Sequence, residues 1–156
     1  MRVEFLGTGT STGVPMIGCR CDVCRSKDSS DRRLRSSVCL TVDDKNILID
    51  CGPDFRQQML RSGIDHIDAV LLTHEHYDHT SGLDELRNFS RNNPIPIYAE
   101  PNVLDIIHQR LFYCFSEQPN PGVAHLELKA IENLSPFTLF GIDIEPVRVW
   151  HYRLPI

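Results

Sequence analysis

The chain has 156 residues, 41% hydrophobic and 24% charged, which suits one soluble globular domain with a sizeable core. Its formal net charge of −5 argues against a nonspecific nucleic-acid binder, which would show a basic face. No apolar run approaches the roughly 20 residues that span a bilayer, and a start as charged as Met1-Arg2-Val3-Glu4 does not read as a secretion signal, which points to a cytoplasmic protein.

Arg2 to Leu6 alternates polar and apolar residues as a half-buried strand does. It runs into Gly7-Thr8-Gly9-Thr10-Ser11-Thr12-Gly13-Val14-Pro15, a loop of glycines and hydroxyls that either lines a pocket and offers N–H groups to an anion or is simply a turn. Cys19, Cys21 and Cys24 follow, within a cysteine-rich segment at 18–25. In a reducing compartment, thiols so closely spaced match a structural zinc knuckle, with one tetrahedral position left for a fourth ligand; a disulfide with a spare thiol is the other reading. Arg32-Arg33-Leu34-Arg35 is a basic run that could meet a phosphate or simply be solvated. Two strands, 38–42 and 46–50, flank the polar turn Asp43-Asp44-Lys45. Asp50 ends the second strand, and a helix is predicted over 53–62, with Pro53 in its first turn and Gly63 as its stop. Cys39 and Cys51 read as small buried hydrophobes. His66 precedes the next strand, at the far end from its carboxyl terminus, and reads as structural.

Ala69-Val70-Leu71-Leu72 has the composition of a fully buried strand. It stops at Thr73-His74-Glu75-His76-Tyr77-Asp78-His79. His74 and His76 are two apart and can project to one side of an extended segment, while Asp78 and His79 lie one turn further on. Imidazoles with a carboxylate suit Zn, Mn or Fe, and these donors exceed what one tetrahedral ion needs, so a two-metal centre is expected.

His-x-His-x-Asp-His after a short apolar strand resembles the signature of the metallo-β-lactamase superfamily of hydrolases. The resemblance implies that His74 and His76 hold a first metal, that Asp78 and His79 hold a second, and that Asp78 also acts in proton transfer. Together with Gly-Thr-Gly-Thr-Ser-x-Gly-Val-Pro and Gly-Cys-x-Cys-x-x-Cys, it is similar to the branch that includes the phosphoribosyl 1,2-cyclic phosphate phosphodiesterase of phosphonate breakdown. A segment like Arg32–Arg35 precedes the second strand there. In that branch Asp50 braces the metal loop by hydrogen bonding, and a histidine near the carboxyl terminus completes the cysteine site. This chain has no such histidine, so the fourth ligand stays open.

Beyond the loop, Leu83, Leu86 and Phe89 sit at helical spacing over 82–89, and 95–99 reads as a strand. Pro101 opens a second helix carrying Val103, Ile107 and Leu111, with His108 packed beside that stripe. Residues 113–124, with Pro119, Pro121 and Gly122, form a lid or a plain connector. His125 has no ligand spacing around it. Leu126-Glu127-Leu128, Phe137–Phe140 and Ile142–Glu145 read as strands of a second sheet, turned at Gly141. The last element, Pro146–Arg153, is an apolar strand ending at His151. The resemblance implies that His151 is the third ligand of the first metal.

It also implies an α/β fold, an αβ/βα four-layer sandwich of which residues 1–156 supply the first half and the start of the second. The later aspartate and histidine of that pattern have no counterpart here, so an incomplete domain is expected, with weak occupancy of the second site. The function implied is a metal-dependent phosphodiesterase acting on a small cyclic phosphodiester, with two catalytic divalent metals (Zn or Mn) and one structural Zn. An RNA 3′-end-processing nuclease of the same superfamily and a non-catalytic metal-binding remnant, or one half of an assembly such as a homodimer, are the alternatives.

Overall fold

The structure, a computed structural model, describes residues 1–118 and 120–156. Strand-forming runs as far as Ala130 assemble into one six-stranded sheet in the order β1-β2-β3-β4-β5-β6. Its strands are β1 (Arg2–Gly7), β2 (Ser37–Val42), β3 (Lys45–Ile49), β4 (Ala69–Leu71), β5 (Ile95–Ala99) and β6 (Leu126–Ala130). The first three pair antiparallel, because the β2–β3 turn is tight: Asp43 and Asp44 both take positive φ (44° and 62°), the twist that hairpins favour. From β3 onward the pairing is parallel, as crossovers through helices require. Those helices are α2 (Phe55–Ser62), stopped by Gly63 at φ 72°, and α4 (Pro101–Arg110), opened by Pro101 in its first turn.

Register fixes what each face does. Leu48, Val70 and Ile97 are fully buried on the helix-covered face, against Phe55, Met59, Val103 and Ile107. Ile47 and Ala69 point to the opposite face, where a hairpin of β7 (Phe137–Leu139) and β8 (Ile142–Ile144) covers them. Tyr98 stacks on Phe137 there, with ring centroids 5.4 Å apart. This hairpin is the predicted start of a second layer. A last small hairpin pairs β9 (Trp150–His151) with β10 (Leu154–Pro155).

Several expectations need correction. Leu126–Ala130 is not in the second sheet; it pairs parallel with β5 in the first, since alternation shows that one face is buried but not which sheet holds the strand. The turn after the 74–79 loop is a 3₁₀ helix over Leu83–Asn88 rather than an α-helix. Three residues per turn stack Leu83, Leu86 and Phe89 on one side, where the first two are buried. Helix α2 starts at Phe55, leaving Pro53 outside it. His108 is exposed, not packed in the core, and lies against Phe115 with centroids 5.0 Å apart. Over Pro146–Arg153 only Trp150–His151 is strand, and Val147, Val149 and Trp150 are 70%, 53% and 68% exposed. In 113–124, Pro119 lies outside the described residues. Tyr113, Phe115 and Val123 pack on the core, which fits the connector.

Candidate metal centre

The parallel register that sets Ile49 beside Leu71 also brings the two strand ends together. Asp50, at φ 60°, follows β3, and its N–H donates to the Leu71 carbonyl at 2.9 Å. Its carboxylate then accepts three hydrogen bonds from the loop beyond β4. The Thr73 N–H donates at 2.9 Å, the Thr73 hydroxyl at 2.9 to 3.0 Å, and His79 Nδ1 at 2.7 Å. With its proton given to Asp50, Thr73 Oγ1 accepts from His74 Nδ1 at 2.9 Å. This relay leaves the lone pair of His74 on Nε2, which is buried and has no hydrogen-bond partner among the described residues.

A buried nitrogen without a partner is costly unless something binds it. Around it the ligand atoms of His74, His76 and His151 all lie within 4.8 Å of one another. The ring centroids of His74 and His76 are 4.6 Å apart, and those of His76 and His151 5.3 Å. His79 stands beside them, 4.2 Å from His74, with its Nε2 3.2 Å from Asp78 Oδ2. Burial, helped by the His79 and His76 charges, pushes His74 below the usual histidine range, which favours the neutral, ligating form. Burial acts the same way on His79, but the hydrogen bond and charge of Asp50 outweigh it and raise its pKa.

The short helix α3 (Tyr77–Thr80) carries Asp78 and His79 and is clamped at the backbone. The Cys51 N–H donates to the His79 carbonyl at 2.8 Å, and the Thr80 hydroxyl to the His76 carbonyl at 3.0 Å. Arg110 reaches from α4 to the Glu75 carbonyl. The contact is so close that a Cβ on Gly52 would lie 2.0 Å from the Asp78 carbonyl oxygen. Thr73, Gly52 and Arg110 are supports that the sequence reading does not assign; each acts through register or backbone contact rather than through a motif.

These groups open onto a cleft of about 860 Å³, whose other wall includes Gly9, Thr10 and Ser11. The glycine and hydroxyl loop therefore lines the site. Gly9 and Gly7 have no room for a side chain, since Cβ atoms there would meet the carbonyls of Arg33 and Arg35 at 2.7 and 1.9 Å. Arg35 is not a solvated charge: it pairs with Asp54 at 2.8 Å and donates to the Ser11 carbonyl at 2.8 Å. No described residue of 113–124 lines this cleft. His66 lies at the other end of the sheet, bonded to Asp65 at 2.7 Å and to the Asp44 carbonyl at 3.0 Å. His125 joins no ligand group among the described residues.

The three cysteines gather separately, their sulfurs also within 4.8 Å of one another. Cys21 caps α1 (Asp22–Arg25), accepting from the Cys24 N–H at 3.5 Å, and this bond lowers its pKa. Cys24 accepts from the Met16 N–H at 3.4 Å, yet the neighbouring thiols leave its pKa raised. All six cysteines are free thiols. Among the described residues no fourth His, Cys, Asp or Glu joins this group.

The chain is 53% identical over its whole length to an octanoyltransferase of Porphyromonas gingivalis, of which it covers 32%. It superposes on a diphosphatase of the PhnP family with a TM-score of 0.88 and 40% identity, covering 98% of this chain and 58% of that one. Zn(2+)-bound PqqB from Methylobacterium extorquens follows at a TM-score of 0.68 and 30% identity, over 88% of this chain and 48% of that one. The chain thus spans a third to somewhat over half of these relatives. The model of the β-lactamase superfamily domain matches residues 45–155, a span holding the Asp50 brace, the loop of 74–79 and His151, and the chain belongs to that superfamily.

Proposed function

We propose that the chain carries the metal-binding half of a hydrolase that cleaves small phosphodiesters. What carries this reading is the trio His74, His76 and His151, whose ligand atoms lie within 4.8 Å of one another, with the buried Nε2 of His74 lacking a partner among the described residues. In this reading the three imidazoles hold one divalent ion, and Asp78 with His79 supplies part of a second site. Such ions neutralise charge that builds on a phosphoryl group and make water a better nucleophile near neutral pH. The protein's own groups do the rest. Asp50 and Thr73 fix the His74 and His79 rings in the tautomers that expose Nε2. Asp78 faces the cleft and can take the proton from attacking water. The Thr10 and Ser11 loop offers hydroxyls and N–H groups to substrate oxygens.

The similarity to a diphosphatase supports phosphorus chemistry, and Zn-bound PqqB supports zinc among the ions the site accepts. The net charge of −5 favours a small substrate over RNA. Cys19, Cys21 and Cys24 are proposed to hold a structural zinc, and their free thiols fit a reducing cytoplasm. No helix among the described residues is long and apolar enough to cross a membrane.

A second reading follows from the apolar side chains left exposed beside the site, Val147, Val149 and Trp150: the chain acts only when a partner or a second copy covers them. The test is hydrolysis of bis(p-nitrophenyl) phosphate by the protein loaded with Zn or Mn. Turnover that EDTA and His74→Ala both abolish is the expected result. Metal bound without turnover supports the second reading. No metal at the histidines in elemental analysis of a Cys19→Ser variant overturns both.

A further inference from the structure

Another cleft, of about 500 Å³, is lined by Gly7 and Thr8 at the start of the glycine loop and shares no lining residue with the histidine cleft. Arg32, Arg33 and Arg61 line it, together with Thr8, Ser29 and Ser30. The backbone explains why the arginines converge. The Gly9 N–H donates to the Leu34 carbonyl at 2.8 Å, and Val14 and Arg33 exchange both backbone hydrogen bonds at 2.8 and 2.9 Å. That pins residues 33–35 to the glycine loop, which needs Gly7 and Gly9 to let the two segments touch. Arg61 arrives from α2 and donates to the Leu6 carbonyl.

Among the described residues, none of these three guanidiniums has a carboxylate within ion-pair distance, whereas Arg2, Arg35, Arg87 and Arg148 all do. Of the two acids nearest in sequence, Asp31, next to Arg32, forms no ion pair with the three among the described residues, and Asp28 is taken by the N–H and hydroxyl of Ser30, both at 2.8 Å. Three unpaired like charges meeting in one cleft of an acidic protein repel one another, and a polyanion relieves that repulsion. Guanidinium groups with hydroxyls between them match phosphate oxygens. Phe5, 66% exposed, adds an apolar plate on the wall.

We propose that this cleft is a second binding site, distinct from the histidine cluster, for a phosphorylated small molecule whose diphosphate group sits between Arg32, Arg33 and Arg61. The diphosphate can come from free pyrophosphate or from a nucleoside diphosphate, whose base would lie on Phe5. The inference does not depend on the hydrolase reading. Isothermal titration with inorganic pyrophosphate and with adenosine diphosphate tests it. Both side chains are exposed; that of Arg32 makes no hydrogen bond among the described residues and that of Arg33 only a long one, 3.4 Å, to the Ser30 carbonyl, so the pair Arg32→Glu and Arg33→Glu leaves the core untouched, and circular dichroism checks the fold. The expected result is binding of pyrophosphate that the double variant weakens by about tenfold or more and His74→Ala leaves unchanged. Tighter binding of adenosine diphosphate, reduced by Phe5→Ala to the level of pyrophosphate, assigns the site to nucleotides; equal binding assigns it to the free anion. Binding that survives the double variant, binding lost in His74→Ala alone, or none up to about 10 mM overturns the proposal.

Discussion

Asp50 holds a left-handed backbone conformation, costly for a residue with a side chain, and it accepts hydrogen bonds from both Thr73 and His79. Its carboxylate fixes which nitrogen of each ring is free. Asp50→Ala is therefore expected to lower affinity for zinc at the histidines by about 10- to 100-fold, read by competition with a chromophoric chelator in a Cys19→Ser background. An unchanged affinity would mean that the rings are oriented by something else. The bracing role of Asp50 is legible from family pattern, whereas that of Thr73 is not, because a hydroxyl in this place matters only once β3 and β4 are known to run parallel in one register. His66 differs. Asp65 and the Asp44 carbonyl raise its pKa, so the stability it contributes is fully present below its unfolded value near 6.5 and fades as pH climbs through the raised folded value. The ring is half exposed, which limits the effect to a few tenths of a kcal/mol, roughly that of a surface pair. His66→Gln should flatten the fall of Tm between pH 6 and 8 by about that much; an identical pH profile in the variant would contradict the assignment.

Helix α3 is too short to be stable alone, so its position is set by what it touches. Gly52 meets the Asp78 carbonyl, and Gly82 meets the Gly52 carbonyl, where a Cβ would lie 2.2 Å away. Both contacts are backbone against backbone and cannot yield by a rotamer change. Gly52→Ala should therefore cost about 1–3 kcal/mol or more in unfolding free energy and shift Asp78 and His79 off the cleft. Urea unfolding and loss of any metal bound at that pair measure the two effects separately. A variant as stable as the parent would show that the loop has slack. Such glycines read from sequence only as turn residues, since close approach involves a segment remote in the chain. The same limit explains the helix type over Leu83–Asn88 and the placement of β6: the apolar spacing was legible, but the spacing 83, 86, 89 is shared by both helix types, and strand alternation names no neighbour.

His151 reaches the cluster from a hairpin with Val149, Trp150 and Tyr152 exposed, next to which Arg148 pairs with both oxygens of Glu100. Spacing links His74 to His76, but only the fold links either to a residue so far along the chain, and His151 was legible solely through family resemblance. Its position has a consequence for how the molecule holds together. The sheet of β1 to β6 is built on a buried core and should be indifferent to metal, while the segment from 146 to 156 has few apolar contacts of its own. An ion shared by His74, His76 and His151 would tie that segment to the sheet. Metal at a hundredfold excess over its Kd would then stabilise the bound state by about 2.7 kcal/mol. Hydrogen exchange by mass spectrometry should show 146–156 gaining protection on zinc addition and losing it with EDTA, with β3 to β5 unchanged. His151→Ala should remove that response while leaving the one expected at 18–25, where the cysteines lie. Protection at 146–156 that ignores metal would mean that His151 stands near the other histidines without sharing a ligand with them.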